Sequence, residues 1–166
     1  MFSLDPLTGL QKSLHLYERL IKEIEQSRHH DFPLSLMMID VDNFQSYNNR
    51  FSHLEGNRVL QSIAVCMKEF VRENDLAVRY GGEEFCILLP QTTSNEARSI
   101  AELIRLKVAA ADSLKCQVTI SIGVASLSPS MRETYDIINA ADLALYEAKR
   151  NGRNNVQVFD DSKGIN

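Results

Sequence analysis

The sequence lacks the features of a membrane protein, of a disulfide-stabilised protein and of a protein that binds nucleic acids through bulk charge. Its longest apolar runs are about five residues, far too short for a membrane-spanning helix. Three cysteines occur without a CxxC pair, which predicts buried thiols in a reducing cytoplasm. The net charge is −4, from 18 basic and 22 acidic residues. This balance argues against a nucleic acid polymer as partner, although a few placed cations could still hold a small phosphorylated ligand.

The length and composition suit one globular domain. The 166 residues have a hydrophobic fraction of 44%, which is enough for a core, and they show no internal repeat or low-complexity tract. The N-terminal segment lacks the basic and apolar regions of a signal peptide. We expect one domain over residues 1–159, followed by a flexible polar tail over residues 160–166.

Apolar periodicity and turn residues predict alternating helices and strands. A capping-box pattern, Thr8-x-x-Gln11, predicts a first helix over residues 10–28. Further helices are predicted over residues 43–51, after Gly56, after a second capping box at Thr93-x-x-Glu96, and up to a stop at Gly152. Strands are predicted over residues 34–41, 76–80, 85–89, 118–126 and 156–159. This order predicts an α+β fold, in which helices flank a mixed β-sheet.

A glycine pair separates two of the predicted strands. Gly81-Gly82 predicts a tight hairpin, because such turns need positive φ angles. Glu83 and Glu84 follow, and consecutive strand residues point to opposite faces, so one of them can face a ligand. A solvated, charged hairpin tip is the alternative interpretation.

Two acids stand where the strand over residues 34–41 ends. Asp40 lies deeper in the strand and has no capping role, which favours it as an oxygen ligand for Mg²⁺. Asp42 is better placed to cap the helix that follows. One acid from each of two elements, Asp40 and a hairpin glutamate, makes a minimal Mg²⁺ site when a triphosphate supplies further oxygens. The spacing alone does not show that the two elements are adjacent.

Two cations lie at the end of the last predicted helix. Lys149 and Arg153 are suited to stabilise the helix dipole. Alternatively, they could neutralise the terminal phosphates of a nucleotide.

Together these motifs resemble the GGDEF domain family, the diguanylate cyclases. The resemblance covers most of the chain, residues 5–159, and rests on five motifs in order: DPLTGL from Asp5, DVDNF from Asp40 with Asn48, RYGGEEF from Arg79, VTISIGV from Val118, and the segment from Ala141 to Asn154. The signature is the GGEEF variant.

The resemblance implies a palm-like fold related to the class III nucleotide cyclases, with the GGEEF sequence on a β-hairpin. It implies a GTP- and Mg²⁺-dependent nucleotidyltransferase that condenses two GTP into cyclic di-GMP and two pyrophosphates. Each domain would hold one GTP and face a second GGDEF domain in a homodimer, and the 3′-hydroxyl of one GTP would attack the α-phosphorus of the other.

The resemblance also implies the site residues. Asp40 and Glu83, with the Val41 carbonyl, would ligate Mg²⁺ or Mn²⁺, and Glu84 would assist a second metal or deprotonate the 3′-hydroxyl. The GTP-binding residues would be Asn43 and Phe44 through backbone N–H groups, Lys149 and Arg153 at the terminal phosphates, Asn48 and Asn57 at the guanine edge, and Leu7 and Leu60 beside the ring.

A second ligand site is implied by Arg72-x-x-Asp75, which lies nine residues before Gly81. At this offset the motif matches the RxxD inhibitory site, where the family binds its product. The arginine fork suits a phosphate or the guanine O6 and N7, and Asp75 can accept from guanine N–H groups. A solvated helix end is the alternative.

Two departures from the family pattern affect the function. Gln45 replaces a lysine, and Asn57 replaces a base-reading aspartate. An amide donates as well as accepts, so Asn57 can also satisfy adenine, and we expect weaker discrimination against ATP. The alternative to an active cyclase is a weak or inactive domain that binds GTP or a cyclic dinucleotide. We expect a cytoplasmic output domain of a larger sensor protein.

Overall fold

The computed structural model describes residues 3–163. Its strands are β1 (Gln11–Lys12), β2 (Leu34–Val41), β3 (Leu76–Arg79), β4 (Glu84–Pro90), β5 (Ile120–Ser126) and β6 (Val156–Val158). Its α-helices are α1 (Ser13–His30), α2 (Phe44–Phe51), α3 (His53–Phe70), α4 (Ser94–Ala109) and α5 (Thr134–Arg150), and a 3₁₀ turn spans Asp161–Lys163. The last three residues of the predicted flexible tail lie outside the described residues.

The strands form one mixed sheet in the order β1-β3-β4-β2-β5-β6. The central strand β2 pairs antiparallel with β4 on one side and with β5 on the other. The outer pairs β1–β3 and β5–β6 are parallel. Every residue of β2 is buried, as expected of a strand covered on both faces. The predicted mixed sheet flanked by helices is confirmed.

Side chains of β2 alternate between two hydrophobic cores. Met37 and Ile39 pack in the core that includes residues of α3 and α4. Leu36 and Met38 pack in the core that includes residues of α1 and α5. Because strand residues alternate faces, Asp40 continues the second row, and its side chain lies on the α5 side of the sheet.

The prediction for the start of the first helix is wrong. Helix α1 begins at Ser13, and its N-cap residue, Lys12, makes no capping side-chain bond. The Thr8 hydroxyl donates instead to the Asp5 carboxylate at 2.6 Å, and Gly9 turns the chain with a φ of 71°. Residues 11–12 then pair with β3, which satisfies backbone groups that a helix would otherwise use. A local pattern could not reveal this distant partner.

The other predicted helices are confirmed, with small changes in where they begin and end. The capping box at Thr93 and Glu96 is present at the start of α4. Gly152 follows the C-cap of α5 with a φ of 101°. Gly56 lies inside α3 rather than before it, because Ser52 caps that helix four residues earlier. No helix among residues 3–163 is long and apolar enough to cross a bilayer.

Helix α5 rests directly on the backbone of β5 at Gly123. A Cβ atom there would lie 2.2 Å from both the Ala141 carbonyl oxygen and the Leu145 backbone nitrogen. Backbone on both sides leaves no flexible side chain to move aside. This contact fixes the height of α5, and therefore of Lys149, above the sheet.

We expect Gly123→Ala to destabilise the protein by about 3 kcal/mol, because overpacking against backbone cannot relax locally. The melting temperature should fall by about 10 °C. Gly82→Ala is the matched control, since a Cβ at Gly82 meets nothing within 4 Å, and its effect should stay within about 0.5 kcal/mol. Equal melting temperatures for the two variants would contradict the close packing of α5.

Candidate active site

The turn of the β3–β4 hairpin lies beside the end of β2. The Val41 backbone N–H donates to the Glu83 carbonyl at 3.3 Å. In the next register position, Asp40 stands opposite Glu84 on β4. The structure therefore brings the DVD segment and the GGEEF segment together, which the spacing in the sequence left open.

The hairpin is present, but the reason given for its glycines is wrong. Neither Gly81 nor Gly82 has a positive φ. The turn is closed by the N–H groups of Tyr80 and Gly81, which both donate to the Glu84 carbonyl at 2.8 and 3.1 Å. The space that a Cβ at Gly82 would occupy is open. The second glycine therefore keeps the turn accessible rather than allowing an unusual backbone conformation.

An acid pair and a lysine meet at this turn. Asp40 is 6% exposed, and its Oδ2 accepts from Lys149 Nζ. Its Oδ1 is buried without a hydrogen-bond partner among residues 3–163. Burial, then the neighbouring Asp40 carboxylate, raise the pKa of Glu83, and Lys149 opposes this shift. The two carboxylates are therefore close enough to repel each other, and one lysine only partly compensates them.

This donor set fits a hard divalent cation. Mg²⁺ takes oxygen ligands and is commonly held by one or two carboxylates together with substrate phosphates. Asp40 and Glu83 supply such carboxylates, and the unpartnered Asp40 Oδ1 is an acceptor that a cation would satisfy. The described residues contain no cluster of three or more acids, histidines or cysteines suited to a metal. An ion here would therefore depend on further oxygens from outside the protein.

Glu84 lies near a fourth acid, Asp142, which sequence reasoning did not place in the site. Burial, then the charge of Glu84, raise the pKa of Asp142 on α5, and Lys149 opposes the shift. Asp142 and Lys149 are seven residues apart, two helical turns, and so lie on one face of α5. That spacing was the available signal. Asp142 therefore adds negative charge near Glu84, with Lys149 as the neighbouring cation.

The N-terminal loop holds the hairpin turn from the other side. Arg79 donates to the Asp5 carboxylate at 3.2 Å and to the Gly82 carbonyl at 2.8 Å. Burial alone would raise the pKa of Asp5, but bonds from Thr8 and the charge of Arg79 lower it overall. The Tyr80 hydroxyl also shares a 2.8 Å hydrogen bond with that of Tyr17 on α1. Asp5 and Tyr17 are both more than 60 residues from the hairpin residues that they bind, so spacing could not show these two contacts.

The prediction that Asp42 caps α2 is wrong. The N-cap residue is Asn43, with a left-handed φ of 55°, and no side chain caps the helix. The Asp42 carboxylate already accepts from Thr119, directly before β5, from Ser121 on β5, and from Asn154 in the turn after α5. The backbone N–H groups of Asn43 and Phe44, predicted to bind phosphate, lie directly beside this end of β2.

The two predicted phosphate cations differ in their surroundings. Lys149 reaches Asp40, so its role exceeds that of a charge at a helix end. Arg153 follows the helix, where Gly152 N–H bonds to the Lys149 carbonyl and Arg153 N–H bonds to that of Ala148. This pair of bonds is a Schellman motif. The Arg153 residue is exposed and has a φ of 64°.

The predicted base-reading residues gather where α2 meets α3. Asn48 packs against Gly56, where a Cβ would lie only 1.7 Å from the Asn48 Oδ1. That oxygen is buried and has no hydrogen-bond partner among the described residues. Asn57 is exposed and Leu60 is buried on α3, and the Leu7 carbonyl accepts from Gln61 on the same helix. The glycine thus allows the close approach that places Asn48 here.

In the RxxD motif, the arginine and the aspartate bind each other. Arg72 donates through Nε and Nη2 to the two Asp75 oxygens at 3.1 and 2.9 Å, and its backbone N–H adds a third bond at 2.8 Å. The Asp75 side chain is fully buried, whereas that of Arg72 is 53% exposed. Half of the Arg72 side chain is therefore open to solvent, whereas the Asp75 carboxylate is buried and occupied by Arg72.

Comparison with known proteins decides the family. The family model described as "Diguanylate cyclase, GGDEF domain" matches residues 2–155. The chain belongs to the GGDEF family. Two solved GGDEF structures share its palm-like fold. The active GGEEF domain of a diguanylate cyclase from Vibrio cholerae has a TM-score of 0.85 and 32% identity, over 89% of this chain and 96% of that one. The GGDEF domain of DgcB from Caulobacter crescentus, in complex with c-di-GMP, has a TM-score of 0.89 and 27% identity, over 95% and 93%.

Curated relatives include diguanylate cyclase A of Treponema denticola. It is 38% identical over 165 residues, which cover 95% of this chain and 44% of that protein. The chain spans less than half the length of this and other curated relatives that it matches. The comparison therefore establishes the GGDEF domain.

We expect Glu83→Gln to raise the melting temperature of the metal-free protein at neutral pH. The raised pKa means that the charged carboxylate is disfavoured in the folded state relative to the unfolded state. This penalty is absent below the ordinary carboxyl pKa and develops as the pH rises through the raised value. Melting curves in EDTA should therefore show no advantage for the variant near about pH 4 and the largest advantage near neutrality.

The matched control is Glu18→Gln, because Glu18 is an exposed glutamate on α1. It should change the melting temperature little at any pH. If Glu83→Gln gave the same shift at acid and neutral pH, the proposed repulsion between Glu83 and Asp40 would be wrong.

Proposed function

We propose that this GGDEF domain condenses two GTP molecules into cyclic di-GMP and releases two pyrophosphates. The observation that carries the proposal is the meeting of Asp40, Glu83 and Lys149 at the turn of the GGEEF hairpin. Relatives named as diguanylate cyclases, and the solved GGEEF domain described as active, support the same reaction.

Asp40 and Glu83, together with the Val41 carbonyl, would hold Mg²⁺ or Mn²⁺. A bound ion would lower the pKa of the attacking 3′-hydroxyl and neutralise charge on the leaving pyrophosphate. Until then, Lys149 occupies Asp40 Oδ2. Its ammonium group can move to a phosphate once a cation replaces it beside Asp40.

The remaining residues would bind and orient the nucleotide. The backbone N–H groups of Asn43 and Phe44, at the start of α2, suit phosphate oxygens. Lys149 and Arg153 would hold the terminal phosphates and stabilise charge that develops on them. Asn48 offers guanine a buried carbonyl oxygen that has no other partner among the described residues.

Glu84 would act on the proton of the 3′-hydroxyl or at a second metal. Its neighbour Asp142, whose pKa is raised, adds negative charge beside it.

Because each domain would hold one nucleotide, the reaction needs two domains face to face. A chain with a single nucleotide site cannot bring two GTP molecules together by itself. Turnover should therefore depend on the encounter of two copies in a homodimer.

A second function rests on Asn57. This amide stands exposed on α3 near Asn48, where it can pair with guanine or adenine. The proposal is that GTP remains the main substrate and that ATP is incorporated at a lower rate.

Arg72 and Asp75 would form a product site that inhibits the enzyme. The half-exposed guanidinium of Arg72 suits a phosphate or a guanine edge. Since Asp75 is buried beneath it, product binding through both residues requires the bidentate pair to open.

We expect Mg²⁺-dependent pyrophosphate release from GTP that grows with the square of the protein concentration at low concentration. Fusion to a parallel dimeric coiled coil should raise the rate and make it linear. In the fused protein, Asp40→Asn should lower the rate by about 100-fold or more. Asp112→Asn, at an exposed acid away from the hairpin, is the control. GTP binding without pyrophosphate release by the dimer would favour a binding module.

We expect Asn57→Asp to suppress use of ATP by about tenfold, a difference of about 1.4 kcal/mol. A carboxylate at this position only accepts hydrogen bonds, so it cannot donate to adenine N1. The measurement is the ratio of adenine to guanine in dinucleotide products made from equal GTP and ATP. Asn49→Asp, at a nearby exposed amide, controls for the change in charge. Purely diguanylate product from the unaltered chain would contradict relaxed selectivity.

We expect Arg72→Ala to weaken binding of cyclic di-GMP by about tenfold or more, because the fork that meets the ligand is lost. Titration calorimetry with cyclic di-GMP measures this directly. Arg132→Ala removes an exposed arginine elsewhere and should have no effect. Equal affinities for the two variants would contradict a product site at this motif.

A further inference from the structure

We propose that Asp42 is a positioning residue, which acts by fixing the turn that presents Arg153 to the terminal phosphates of the nucleotide. The inference rests on the proposed function, because it requires that the site bind a nucleoside triphosphate. It adds a role for an acid that the sequence favoured only as a helix cap.

The carboxylate of Asp42 joins three segments of the chain. Its Oδ1 accepts from the Ser121 hydroxyl at 2.6 Å, and its Oδ2 accepts from the Thr119 hydroxyl at 2.8 Å. Oδ2 also accepts from the Asn154 backbone N–H at 2.9 Å. Asp42 is itself buried, and its backbone N–H donates to the Thr119 carbonyl. The end of β2, the start of β5 and the turn after α5 are therefore tied at one side chain.

The turn that Asp42 holds has an unusual backbone. Gly152, Arg153 and Asn154 have φ angles of 101°, 64° and 47°. Residues with a Cβ disfavour this left-handed region, so consecutive examples persist only where the surroundings impose them. Arg105 holds Asn154 Oδ1 from α4 at 2.9 Å. Asp42 supplies the bond that links the turn to the end of β2, two residues from Asp40.

The Asp42 carboxylate holds the turn without binding the Arg153 guanidinium, which can therefore bind a phosphate. All three donors to Asp42 are uncharged groups, so its carboxylate does not bind a cation. Among residues 3–163, the Arg153 guanidinium has no hydrogen bond or ion pair. It is therefore presented to an anion without an internal competitor. Its position relative to Asp40 and Lys149 is set by the backbone that Asp42 holds.

The proposal makes Asp42 and Arg153 energetically coupled. Asp42→Ala removes the acceptor of the Asn154 N–H, so the turn should relax and misplace Arg153. Asp42→Asn can still direct its amide oxygen to that N–H and donate its amide N–H to the Ser121 hydroxyl. The amide variant should therefore rescue most of the effect.

The test is a double-mutant cycle on nucleotide affinity in the presence of Mg²⁺. 3′-Deoxy-GTP serves as the ligand because it lacks the attacking hydroxyl, and GMP serves as the control because it lacks the terminal phosphates. Arg153→Ala should weaken 3′-deoxy-GTP binding by about tenfold, and Asp42→Ala by nearly as much. The double variant should bind no more weakly than Arg153→Ala alone, and GMP affinity should stay unchanged throughout.

Several outcomes decide the matter. Additive losses, or equal losses of 3′-deoxy-GTP and GMP affinity, would overturn the positioning role and leave Asp42 structural. If Asp42→Ala does not fold, Asp42→Ser takes its place in the cycle, because one short hydroxyl cannot keep all three bonds, and an additive effect of that variant would also overturn the proposal. If the unaltered chain bound GMP and 3′-deoxy-GTP equally, or bound neither, both this proposal and the proposed function would fail. Tight triphosphate binding with additive variants would reject this proposal alone.

Discussion

The hydrogen bond from the Val41 N–H to the Glu83 carbonyl is the contact on which the candidate site depends. It places the turn of the β3–β4 hairpin against the end of β2. Asp40 and Glu83, which are distant in sequence, therefore repel each other, and Lys149 partly offsets this repulsion. Favourable packing elsewhere in the domain must offset the repulsion between the two carboxylates. A buried carboxylate oxygen without a partner beside a second carboxylate is typical of a site that takes up a cation.

The surrounding fold fixes that contact from three directions. Strand β2 lies between β4 and β5 and is buried on both faces, so its end cannot shift independently. Gly123 lets α5 approach the sheet closely enough for Lys149 to reach Asp40. Arg79 ties the hairpin turn to the N-terminal loop at Asp5. Each of these ties joins elements that are far apart in the chain, which makes the site a property of the whole domain.

Local sequence patterns predicted where helices and strands occur more reliably than they predicted the contacts of individual side chains. The buried strand at residues 34–41 and the hairpin were found because apolar runs and turn residues are local signals. The capping box at Thr8 failed because residues 11–12 pair with β3, a partner that no window of sequence contains. Asp42 was misassigned for the same reason, since its donors lie on β5 and after α5. The family motifs named Asp40, Glu83 and Lys149 together, whereas spacing alone left their meeting open.

The most direct test of a cation site between Asp40 and Glu83 is to locate Mn²⁺ by anomalous scattering in crystals grown with 3′-deoxy-GTP. We expect an anomalous peak with both carboxylates and the Val41 carbonyl at ligand distance, about 2.1 Å. We also expect that Lys149 has moved from Asp40 to a phosphate. A bound nucleotide whose metal contacts neither carboxylate would contradict the account.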